Sequence, residues 1–144
     1  MRKSACGLMI ALLGTCAALA ASQTQGTQTQ QGKQTLAGSR WSVTLTPDDA
    51  AAAKGTKPFD DVLIFDSAKM TSPECLKYGF SASPYKSAQK KGEAMEFSTT
   101  QKSDAEGTSV WTGTIDGDAM NGTMVWTKKD GTVVTYKLSG KRQG

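Results

Sequence analysis

The chain of 144 residues contains no histidine. That absence removes Ser-His-Asp and Cys-His nucleophilic schemes and the commonest zinc sites, because each needs an imidazole as base or ligand. Cysteine is nearly as scarce: Cys6 and Cys16 fall close to the N-terminus, and only Cys75 lies further on. If the N-terminal segment is removed, no intramolecular disulfide can form. A lone thiol is then buried, paired between molecules or an attachment point, and burial is the usual state of a free Cys. No stretch reaches the roughly 18 consecutive apolar residues that a membrane-spanning helix needs. Charge of one sign is also missing, since 17 basic residues face 13 acidic ones, and without Arg2 and Lys3 the balance is 15 against 13. Such a chain lacks the basic footprint of a nucleic-acid binder, and Lys86, Lys90 and Lys91 read as a solvated loop before Gly92. Paired carboxylates are missing too. Asp60 and Asp61 would face opposite ways on a strand, and Asp116-Gly117-Asp118 with Asn121 lacks the further ligands and terminal Glu of an EF-hand. That triplet is read as a hairpin turn, Cys75 has no base partner, and neither a metal nor a cofactor is expected.

Arg2 and Lys3 precede an apolar run, Ala5 to Gly14, and a small-residue site, Ala18-Leu19-Ala20. This is the pattern of a signal peptide, residues 1–20, and it predicts an exported protein, periplasmic or extracellular, with no transmembrane segment after processing. Leu13-Gly14-Thr15-Cys16 also resembles the lipobox of bacterial lipoproteins, in which the Cys carries the lipid. That resemblance implies a second route, with Cys16 as the lipidated N-terminus of an outer-membrane-anchored protein. Residues 21–37 contain a Gln/Thr tract too polar to pack, which reads as a disordered tether.

Residues 38–144 carry the fold. From Gly107 to Gly140, three stretches alternate apolar and polar residues and are separated by Asp116-Gly117 and Asp130-Gly131. Alternation with Asp-Gly junctions predicts a β-meander. Trp111, Gly113 and Ile115 share one face, as do Met120, Gly122, Met124 and Trp126, and again Val134, Tyr136 and Leu138. Upstream, Trp41, Val43 and Leu45 mark a first strand. Thr46-Pro47-Asp48-Asp49 reads as a helix start with Thr46 as cap and Pro47 in the first turn. The run Val62 to Phe65 suits a strand covered on both faces. Ser72-Pro73-Glu74 starts a second short helix that would hold Cys75, Leu76 and Tyr78 before Gly79. Ala94 to Thr100 alternates again, with Met95, Phe97 and Thr99 together.

The count is six strands, or eight if Ser67 to Thr71 and Phe80 to Tyr85 contribute, and the fold class is all-β. An antiparallel up-and-down β-barrel with one or two short helices follows, because closure removes the exposed edges of such a sheet. Roughly 105 residues can bury enough surface to fold without disulfides.

Gly38-Ser39-Arg40-Trp41 on the first strand, the up-and-down order, and Lys141-Arg142 after the last strand resemble the lipocalin-like (calycin) barrels, including the avidin type. In that family a Gly-x-Trp closes one barrel end and an Arg near the last strand lies over the Trp; here the Gly-to-Trp spacing is one residue longer. The chain is also similar to small secreted bacterial proteins with a Ser…Cys…Gly-Phe…Tyr stretch followed by Gly-Thr and Trp-Thr hairpins, a likeness that brings no function with it. The inner surface is the functional candidate, with Phe97, Trp111, Met124, Trp126 and Tyr136 as lining for a small apolar or amphipathic ligand. An eight-stranded barrel is just wide enough to be filled by its side chains or to hold one small ligand. A non-enzymatic ligand-binding barrel is therefore weighed against an envelope-associated or inhibitor-like barrel that has a filled core and meets a protein partner.

Overall fold

The computed structural model describes residues 34–90 and 92–144. The segment read as a signal peptide, with Cys6, Cys16 and the Ala20 boundary, the Gln/Thr tract through residue 33, and Lys91 lie outside the described residues. Eight strands follow one another: β1 (Ser39–Pro47), β2 (Phe59–Phe65), β3 (Lys69–Thr71), β4 (Ser83–Ala88), β5 (Met95–Ser103), β6 (Gly107–Asp116), β7 (Ala119–Thr127) and β8 (Val133–Arg142). Each pairs antiparallel with its sequence neighbour, and β8 returns to β1, so the sheet is a closed up-and-down barrel. Two short helices, α1 (Asp49–Ala53) and α2 (Pro73–Leu76), sit in the β1–β2 and β3–β4 connections.

The alternation in the sequence becomes the two faces of the barrel wall. Along β1, Ser39, Trp41, Val43, Leu45 and Pro47 are buried while the residues between them are exposed. Trp111 and Ile115 on β6, Met120 and Met124 on β7, and Val134, Tyr136 and Leu138 on β8 point into the same core. Each large side chain so buried contributes roughly 1.5–3 kcal/mol. Gly117, at φ +58°, and Asp118 form the two-residue turn between β6 and β7, and only a residue without a Cβ takes that φ without strain. Gly113 and Gly122 face each other across the β6–β7 ladder. A Cβ on Gly122 would lie 2.1 Å from the Thr112 carbonyl oxygen, and one on Gly113 would lie 2.6 Å from the Phe97 ring. The pair allows a close approach of the two strands, with the Phe97 ring packed over Gly113.

Four local expectations are corrected. Helix α1 is capped by Asp48, whose carboxylate accepts from the Ala51 N–H at 2.8 Å; Pro47 remains in β1 opposite Tyr136. The Asp48 N–H donates to Thr135 O at 2.9 Å, which prolongs the ladder past the proline and delays the helix. In β2 only Asp61, Leu63 and Phe65 are buried. Val62 and Ile64 face outward, flanked by their small partners Ser42 and Thr71, so the strand is covered on one face. Helix α2 holds Cys75 and Leu76 but ends before Tyr78, because Gly79, at φ +78°, turns the chain. Lys86 belongs to β4, on its exposed face, and not to the loop that follows.

Candidate functional site

The two ends of the barrel differ. One is plugged. There the Trp41 ring is 1% exposed, its Nε1–H donates to Ser39 Oγ at 2.9 Å, and Ser39 Oγ–H donates to Leu36 O at 2.6 Å. The Arg142 guanidinium stands 5.9 Å from the Trp41 ring centroid. Leu36 is buried beside them, and the Gln143 N–H donates to Arg40 O at 2.9 Å, so the two ends of the described chain close over this layer together.

The opposite end holds a cavity of about 320 Å³. Its barrel wall is Ser109, Met124, Trp126 and Tyr136; Phe59 and the preceding Lys57 and Pro58 form one side. Cys75 and Glu74 of α2, with Tyr78 and Phe80 just beyond it, form the other. Aromatic rings meet edge to face around it, Phe59 with Tyr136 at 5.3 Å and Phe80 with Trp126 at 6.4 Å. Trp126 is only partly buried. Its Nε1–H donates to Glu106 O at 2.9 Å and Lys128 Nζ lies 4.7 Å from its ring, so the loops of this end hold it at the rim.

A buried carboxylate fixes the helix that walls this cavity. Asp61, on the inner face of β2, accepts from the Val62 N–H at 2.7 Å, from the Glu74 N–H at 3.3 Å and from the Ser72 hydroxyl. Ser72 Oγ in turn accepts from the Cys75 N–H at 3.1 Å as the helix cap. A helix of one turn has no stability of its own, so these bonds set where Cys75 stands. Burial pushes the Cys75 thiol up to about 11, with the Asp61 and Glu74 carboxylates adding to the effect, so it stays protonated at neutral pH. Burial also raises the Tyr136 phenol. Both groups therefore face the cavity in neutral form.

Of the five residues proposed from sequence as lining, Met124, Trp126 and Tyr136 stand on the cavity wall. Phe97 does not: it packs edge to face on Phe65 at 5.4 Å, over Gly113. Trp111 is fully buried with its Nε1–H on Ser109 Oγ at 3.1 Å. Phe59, Cys75, Phe80 and Ser109 were not singled out as lining. Phe59 continues the period-two pattern of Asp61, Leu63 and Phe65 and was findable; Cys75 and Phe80 reach the cavity through the docking of α2, for which no periodicity exists. A larger depression, about 670 Å³, lies on the outer wall over Gly113 and Gly122, where Ser98, Thr112, Thr114 and Thr123 present short polar side chains.

Compared with known proteins, the chain matches no family model, no curated protein and no solved structure.

Proposed function

We propose that the protein is an exported, lipocalin-like barrel that binds a small apolar or amphipathic ligand at its open end and catalyses no reaction. The observation that carries this reading is the difference between the ends. One is packed shut by Trp41 and Arg142, while the other keeps a walled space lined by Met124, Trp126, Tyr136 and Phe80. Rigid aromatic faces and adaptable Met and Cys side chains suit an apolar body, and polar groups at the rim suit an amphipathic one. The Arg142–Trp41 contact supports the lipocalin-like reading, since the resemblance implies it. Native mass spectrometry of protein purified from its own host without detergent tests the function. A bound mass that is lost on denaturation, and reduced in Trp126→Ala, is expected; a bare mass under all conditions, with no binding of added apolar probes, would overturn it. The same spectrum distinguishes an N-terminus at Ala21 from a lipidated Cys16 when a detergent extract is run beside it.

A second reading, an interaction module, draws on the exposed apolar side chains of the same end. Leu76 is 48% exposed, Tyr78 59% and Val133 56%. A stoichiometric partner recovered with the native protein and lost in a Leu76→Ser/Tyr78→Ser variant, with no small molecule bound, would favour it.

A further inference from the structure

We infer that the ligand of the open end is a single-chain anionic amphiphile, of the medium-chain carboxylate type, seated with its apolar chain in the cavity and its head at the mouth against Lys57. This names the ligand class and rests on the ligand-binding reading above.

The charges on the cavity wall decide the sign of the head. Two ionic side chains line it, Lys57 and Glu74. Glu74 is already matched, since its carboxylate accepts from Lys77 Nζ at 2.5 Å. Lys57 is exposed and has no ion pair among the described residues. An arriving ligand therefore meets one uncommitted cation and no uncommitted acid. Lys128, 4.7 Å from the Trp126 ring, adds a second cation at the rim. The other acids of this end line no part of the cavity, Asp49, Asp104 and Glu106 included. Asp61 is taken up by the Val62 and Glu74 N–H groups and the Ser72 hydroxyl. Asp48 caps α1, and Asp130 accepts from the Thr132 N–H at 2.8 Å.

The polar group on the same side as Lys57 is also a donor. Phe59, two residues further on, packs edge to face on Tyr136 at 5.3 Å. The Tyr136 phenol makes no hydrogen bond among the described residues and stays protonated, with Cys75 and Tyr78 of the cavity wall near it. It has an O–H to give to an oxygen of the head. Depth fits the same orientation. At the mouth a carboxylate keeps part of its hydration, whereas a deeply buried one needs partners that Met124 cannot supply and that Ser109, with its oxygen already on the Trp111 N–H, supplies poorly. A volume of about 320 Å³ is near the lower end of ligand pockets, roughly 300–1,000 Å³, so it takes one chain and not a two-chain lipid.

The probes are octanoate, 1-octanol and octylammonium, which share the apolar chain and differ in the charge of the head. Each is titrated into the full chain by calorimetry at neutral pH and low ionic strength. Octanoate is expected to bind about threefold to fivefold more tightly than 1-octanol, the upper range for an ion pair in contact with water, and octylammonium is expected to bind least. Lys57→Gln is expected to remove the advantage of octanoate and leave 1-octanol unchanged, while Lys57→Arg keeps it. Lys141→Gln makes the same change of net charge at the closed end and is expected to leave all three affinities as they were. Octylammonium or 1-octanol binding as tightly as octanoate would overturn the head-group assignment and leave the apolar cavity standing. So would an advantage of octanoate that survives in Lys57→Gln, or one that is lost equally in Lys141→Gln. Binding of none of the three would overturn the ligand-binding reading itself.

Discussion

The closed end and the open end of this barrel use the same parts and reach opposite results. Each has a Trp whose indole N–H is bonded and whose ring lies beneath a cation. At the closed end the cation, Arg142, belongs to β8 and is held by the ladder to β1, so it seals the ring at 1% exposure. At the open end Lys128 belongs to the loop between β7 and β8, and one side of the cavity is a one-turn helix tied down by Asp61 and Ser72. An aromatic ring under a cation becomes a plug when a strand delivers the cation, and a rim when a loop does. Strand pairing fixes position through several bonds at once, whereas a loop end keeps freedom that leaves room for a guest.

Substitutions on each side should separate these roles. The largest effect is expected from Trp41→Ala, which opens a cavity in the sealed layer and should cost about 4 kcal/mol in denaturant unfolding; a loss no greater than that of Trp126→Ala would break the distinction between the ends. Gly122→Ala forces a Cβ against the Thr112 carbonyl and should cost about 3 kcal/mol, as overpacking does at its severe end. Because it lies between the two ends, its effect should show equally in near-UV signals from either. Ser72→Ala removes a helix cap and one partner of a buried carboxylate, with an expected loss of about 2 kcal/mol and faster alkylation of Cys75, measured by denaturation and thiol labelling. Trp126→Ala should cost only about 1 kcal/mol of stability, since the ring is part exposed, while weakening probe binding more than the fold. The last effect is one of pH, absent at neutrality and confined to alkali. Because the folded Cys75 thiol titrates near 11 instead of its ordinary 9, the unfolded chain releases its proton first. Cys75 thus adds nothing below pH 9 and subtracts stability between about 9 and 11; a Cys75→Ser variant with the same alkaline profile would show that the thiol is not responsible.

Much of this was legible from residue order. The faces of β1, β6, β7 and β8 follow from alternation, because in a barrel of one layer each wall has a single apolar side. Met124, Trp126 and Tyr136 were found for that reason. The same reasoning could not separate them from Phe97 and Trp111, since alternation gives the face of a residue but not its height along the barrel axis. Height depends on register, which sets Thr99 against Trp111 and Gln101 against Ser109. Likewise Ser72 announced a helix cap, but its second bond, to Asp61 eleven residues earlier, depends on how α2 folds over the end. The start of α1 is not legible in the same way, because Thr46-Pro47 and Asp48 compete for it and a ladder bond from the Asp48 N–H to Thr135 O decides between them.

The β1–β8 seam has a consequence for kinetics. Every other pairing joins strands adjacent in sequence and can zip from a turn, whereas this one waits until residues about a hundred apart in the chain meet, as the Trp41–Arg142 register requires. Closure of the ring is therefore expected late in folding, whereas the thinnest part of the finished wall is β3, which has two register pairs to β2 and two to β4. Hydrogen exchange under native conditions should find the β3 amides less protected than those of β5, β6 and β7. A circular permutant that joins the two strands by a short turn would convert the slowest pairing into a hairpin and should fold faster.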